Sequence, residues 1–91
     1  MMPAYCLSYD LRAPGRNYQP LYDALSAVNA VRALQSLWLF DDPRPAAQVR
    51  DSVRQLIDQN DGILLIAITN SNWASLNVLP GAAEWIQARF P

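Results

Sequence analysis

The sequence has no histidine, no lysine, a single cysteine and only three glycines in 91 residues. Without histidine there is no ordinary zinc site and no histidine-based catalytic triad. One cysteine excludes an internal disulfide. Cys6 lies inside an apolar stretch, where a thiol ordinarily serves as a small packing residue rather than a nucleophile. With neither histidine nor lysine to activate them, Ser8 and Ser36 are poor candidates for serine chemistry. No apolar run reaches the roughly 18 residues of a membrane span, and no stretch resembles a secretory leader. The expectation is a soluble, cytoplasmic protein with no membrane partner.

All basic charge comes from seven arginines, set against eight acids, for a net charge of -1. Sequence-independent nucleic-acid binders usually carry a basic excess, because neutralising phosphates supplies their affinity. The net charge therefore does not support a nucleic-acid partner unless the arginines gather at one place. Four of the seven do lie between Arg12 and Arg44.

What the chain has in quantity is apolar surface, 52% of its residues. A single domain of this length buries roughly 60–70% of what its unfolded chain exposes. The excess points to cover from a second copy, hence a homodimer.

The organising stretch is residues 4–11, Ala4-Tyr5-Cys6-Leu7-Ser8-Tyr9-Asp10-Leu11. Read as a strand, it sends Tyr5, Leu7, Tyr9 and Leu11 to one face and Ala4, Cys6, Ser8 and Asp10 to the other. The large set suits a layer of helices. The small set suits a face approached by a second sheet, a partner subunit or a substrate. Asp10 closes the strand beside an irregular run containing Pro14-Gly15, a turn signal.

Asn17 caps a helix over about 18–28, with Pro20 in its first turn and Tyr18, Leu21, Leu25 and Val28 at helical spacing. Two short strands follow, Val31 to Ala33 and Leu37 to Phe40, around a tight turn near Gln35-Ser36; one bent strand is the alternative. Pro43 and Pro45 end the strand, and Asp41-Asp42 stand at the amino end of a second helix, which buries Ala46, Val49, Val53, Leu56 and Ile57. Asn60-Asp61-Gly62 stops it. Residues 63–69 form a strand with apolar side chains on both faces. A loop at Asn70-Ser71-Asn72 leads to an undecided stretch and a last helix carrying Ala82, Trp85, Ile86 and Phe90.

The order is β-α-β-β-α-β plus a helical tail, an α+β, ferredoxin-like arrangement: one antiparallel sheet, two helices on one face and the other face open. The division is a ferredoxin-like domain at 1–70 and a tail at 71–91 that packs on the sheet or on a partner subunit.

Asp10 is the leading candidate for chemistry. A strand-end carboxylate can bind a hard cation such as magnesium, and a two-fold dimer doubles the number of carboxylates; alternatively it caps the turn that follows. Arg12 and Arg16 can clamp a phosphate, or pair with Asp10 or Asp23. Asp41-Asp42 reads as a helix start rather than a metal pair. Trp38, Trp73 and Trp85 read as core or interface rather than stacking platforms for bases.

A strand closing in Tyr9-Asp10-Leu11, then a helix, then Val31-Arg32-Ala33-Leu34-Gln35-Ser36-Leu37-Trp38, resembles the CRISPR-associated Cas-two proteins. It is also similar to their relatives in toxin–antitoxin loci, the virulence-associated protein D group. The likeness runs over about residues 5–69. It implies a small ferredoxin-like homodimer in which the two Asp10 carboxylates face each other across the dimer cleft. In that family the aspartate is implicated in magnesium-dependent cleavage of RNA or DNA phosphodiesters. The resemblance thus makes Asp10 the catalytic and metal-binding residue of a nuclease. Arg32, inside the second motif, joins Arg12 and Arg16 as a contact to the nucleic-acid backbone. Some members instead bridge DNA for an integrase without cutting it, so the alternative is a non-catalytic dimerisation or scaffold module. The chain departs from the family pattern in having Leu34 two places before the serine, where the family has glutamine, in lacking lysine, and in ending in a helix where a strand exchanged between subunits is common.

Overall fold

The strand at residues 4–10 is one of the two inner strands of its sheet. In the computed structural model, which describes residues 2–69 and 72–90, β1 (Ala4–Asp10) pairs on one side with β3 (Leu37–Asp41) and on the other with β4 (Gly62–Ile68). β2 (Val31–Leu34) joins the outer side of β3, giving an antiparallel sheet in the order β2-β3-β1-β4. The three helices are α1 (Gln19–Ala27), α2 (Ala46–Arg54) and α3 (Ala82–Arg89). The fold is α+β, with one four-stranded antiparallel sheet. Of the expected loop at 70–72, Asn70 and Ser71 lie outside the described residues, as does the boundary between 70 and 71.

The alternation in β1 determines the layers. Tyr5, Leu7 and Tyr9 are buried with Leu21 and Leu25 of α1, Val49 and Val53 of α2, and Trp38, Phe40 and Ile57. Leu7 and Leu21 have no exposed surface at all. Burying a leucine fully contributes roughly 1.5–3 kcal/mol, so this layer is what holds the two helices on the sheet. Leucines at 21 and 25 lie one turn apart and share a face, which is why this short helix packs by that stripe.

The connections follow local chemistry. Pro14-Gly15 makes a turn closed by the Arg16 amide donating to the Ala13 carbonyl at 3.1 Å, with Gly15 at φ 82. That left-handed conformation suits glycine. Asn17 was expected to cap α1. Its side-chain oxygen does accept the amide of Gln19, the first residue of α1, at 3.0 Å, although Tyr18 stands at the cap position, without a side-chain cap bond of its own. The hairpin between β2 and β3 turns at Gln35-Ser36, and the ladder shifts register between Arg32 and Leu34.

Two expectations need correction. Asp41 and Asp42 do not serve the start of α2, whose cap residue is Pro45 and whose first turn carries no acid. Asp41 instead pairs with Arg89 of α3, through Nε at 3.1 Å. Asp42, only 3% exposed, accepts Arg44 Nε at 3.0 Å, Nη2 at 2.8 Å and the Arg44 amide at 2.9 Å. The second correction concerns the face expected to be open. α3 lies across part of it, with Ala82 buried against Ala33 and Leu39, and with Trp85 and Ile86 alongside. Trp73 Nε1 donates to the Phe90 carbonyl at 2.8 Å, and the Leu79 amide donates to Ala33 at 2.9 Å, fastening the segment to β2. Leu64 and Ile66 of β4 stay bare on that face, 61% and 53% exposed. Among the described residues no helix is long and apolar enough to cross a membrane.

Candidate functional site

Asp10 leaves the sheet opposite Gly62, the first residue of β4. Its side chain is 71% exposed, and Oδ2 accepts the Arg12 Nε at 2.9 Å. Arg12 is held along its whole length. Its amide donates to Asp61 Oδ1 at 2.6 Å and its Nη1 to the Asn60 carbonyl at 3.1 Å. Its Nη2 lies against Gly62, where a Cβ would come within 3.1 Å of it. Glycine at 62 is what lets the guanidinium lie this close to the strand.

The aspartate that organises the turn is therefore Asp61 rather than Asp10. Besides the Arg12 amide, Asp61 accepts the Tyr18 hydroxyl at 2.7 Å and the Asp58 amide at 2.8 Å, both on Oδ2. Burial pushes its carboxyl up. The bonds from Arg12, Tyr18 and Asp58 and the charge of Arg16 outweigh that and hold it below the ordinary carboxylate value. Burial and the bond to Asp61 in turn raise the Tyr18 phenol. Neither Asp61 nor the buried Asp42–Arg44 pair was singled out for such roles from the sequence. Asn60-Asp61-Gly62 signals a turn, but the three donors come from the first loop, from the entry to α1 and from the exit of α2.

The arginines divide. Arg16 donates Nη2 to the Ile57 carbonyl at 3.2 Å, lies 4.0 Å from Asp58 and approaches the Tyr18 ring at 5.9 Å. It is bound into the segment after α2. Arg32 donates Nε and Nη2 to the Gln35 carbonyl, at 3.0 and 2.6 Å, and sits 5.3 Å from the centres of both the Tyr22 and Trp38 rings. The Tyr9 hydroxyl, which accepts Trp38 Nε1 at 3.0 Å, lies 3.4 Å from Arg32 Nη2.

Above this network is an open cleft of ≈ 270 Å³, whose walls include Asp10, Tyr22, Arg32, Gln35 and Ser36. The structure so brings together Asp10, Arg32 and Ser36, with Arg12 beside Asp10; Arg16 is not part of the wall. The Tyr9 amide donating to the Ser36 carbonyl at 3.1 Å ties the two motif segments directly. The cleft offers a fixed guanidinium, a carboxylate and hydroxyls, a set that can hold a polar group by hydrogen bonds.

Magnesium demands near-octahedral oxygen ligation and gives up its water reluctantly. Asp10 is one carboxylate with an oxygen already engaged by Arg12. Among the described residues no three of Asp, Glu, Cys and His gather into a group that could hold a metal ion. The donor set of a single chain does not fit the ion. No protein-family model matches the chain, and no solved structure matches it.

Proposed function

We propose that this chain is a non-catalytic assembly module of the Cas-two-like kind, ferredoxin-like in arrangement, working as a homodimer in a CRISPR-like or toxin–antitoxin system. The β-α-β-β-α-β order with β1 between β3 and β4 supports the ferredoxin-like reading. The observation that carries assembly is the bare aliphatic pair on β4. Leu64 and Ile66 stand opposite Ser8 and Cys6 of β1, on the part of the sheet face that α3 leaves free. A second copy presents the same strip, and two-fold pairing is the commonest way to bury it.

Light scattering behind size exclusion tests the proposal. A dimer is expected at micromolar concentration, and Leu64→Glu is expected to give a folded monomer with an unchanged far-UV spectrum. A wild type that stays monomeric at every concentration rejects it.

Cleavage of RNA or DNA is the second reading, favoured by one observation: Asp10, Arg32 and Ser36 share a cleft. Labelled single- and double-stranded RNA and DNA, incubated with magnesium or manganese, separate the two. The assembly reading expects no cutting. Metal-dependent cutting lost in Asp10→Asn establishes the second in its place.

A further inference from the structure

We infer that the Arg12 guanidinium is the resident cation of Asp10: engaged on Oδ2, it competes with a divalent ion for that carboxylate and keeps such an ion from settling there. The inference stands on the geometry of one chain and does not depend on whether copies pair.

An exposed ion pair is ordinarily weak, because two long side chains must be ordered to make it. Here most of that ordering comes from elsewhere. The Arg12 backbone is anchored by Asp61, its Nη1 by the Asn60 carbonyl, and its Nη2 rests on the Cβ-free surface of Gly62. Asp61 is itself fixed by Tyr18 and by the Asp58 amide. The guanidinium thus arrives at Asp10 already oriented, and its Nε bond at 2.9 Å closes an arrangement built from four segments. The competitor is poor by comparison. A hydrated magnesium or manganese ion meeting one carboxylate gains a single ligand, and must displace a cation that is tethered to the chain.

Amide NMR with manganese as a paramagnetic probe tests this without nucleic acid or turnover. In wild type, no site-selective broadening is expected at residues 9–12 over a range in which Arg12→Gln is broadened there. The concentration for half-broadening should fall by about fivefold or more in the variant. Adding Asp10→Asn to Arg12→Gln should abolish the effect. Gly62→Ala keeps the arginine but places a Cβ against Nη2, so it should move the profile in the same direction. It serves if Arg12→Gln fails to fold. Equal broadening of wild type and variants means that Arg12 yields to the ion, and overturns the inference. No selective broadening in any of them also overturns it, because something other than Arg12 then keeps the ion away.

Discussion

The Tyr18 hydroxyl donates to Asp61 Oδ2 at 2.7 Å, joining the entry of α1 to the turn that starts β4. The two residues are far apart in sequence, and the bond fixes the loop that carries Arg12. Tyr18→Phe removes one of the donors that hold Asp61. The expected result is a melting temperature lowered by a few degrees, with faster amide exchange in residues 11–18, read by hydrogen-exchange mass spectrometry.

Acid should unfold the protein through Asp61 and Asp42. The Arg44 hydrogen bond holds the Asp42 carboxyl low against the opposing effect of burial, and Asp61 is held low by its donors. The unfolded chain takes up these protons near pH 3.9, the folded chain only at lower pH. Between those values the unfolded state carries more protons, so stability falls as pH falls. The contribution is complete above about pH 5 and is lost as pH drops through the folded values. Asp42→Asn should flatten this dependence in urea unfolding measured from pH 6 to pH 3. Tyr18 acts in the opposite sense at the alkaline end. Its raised phenol contributes fully below about pH 10 and loses that contribution as pH rises through the folded value.

Tyr9→Phe tests the network under the cleft. The hydroxyl satisfies the buried Trp38 indole N–H and also reaches the Gln35 carbonyl at 3.3 Å. Its loss leaves the indole unpaired, at a cost of about 1–3 kcal/mol in urea unfolding. The tryptophan emission should shift as well, because the polar partner of the indole is gone.

In the core, Leu7→Ala opens a cavity between the sheet and the two helices where no side-chain surface reaches water. The expected loss is about 2–5 kcal/mol. For a domain whose whole stability is of order 5–15 kcal/mol, part of the population should be unfolded at 37 °C, visible by circular dichroism.

Arg89→Ala should loosen α3. The guanidinium pairs with Asp41 of β3 and lies 3.6 Å over the Trp85 ring. Without it, limited chymotrypsin digestion should cut faster in residues 73–79, where Leu76 is already 82% exposed, while the circular dichroism of the sheet is kept. An unchanged digestion rate shows that the apolar contacts of Ala82 and Ile86 suffice to hold the helix.

The elements were legible wherever a local pattern determines the outcome. Large and small residues alternate through β1, leucines 21 and 25 recur at one helical turn, and Gln35-Ser36 separates two β-rich runs. Asp41 and Asp42 were misread because an acid before a proline and a helical stripe has a good local use, whereas its actual partners, Arg89 and Arg44, are chosen by the fold. The same holds for the site. Asp10 and Ser36 could be singled out by motif, and their shared cleft follows from the pairing of β1 with β3. The Asp61 node could not be read, since its donors converge only when the connection from β1 to α1 meets the connection from α2 to β4. The residues of the tail leave packing on the sheet and packing on a partner subunit as alternatives, because the choice depends on where a short helix docks rather than on its own stripe.

The placement of β1 has a consequence for how the protein is made. During synthesis β1 emerges before both of its neighbours in the sheet, and it waits for β3 and then for β4 before both its edges are paired. While synthesis continues at some 5–20 residues per second, the nascent chain carries an apolar strand with no partner on either side. The open time of that strand is set by translation of residues 11–68, so slow codons there should favour aggregation and those before residue 11 should not.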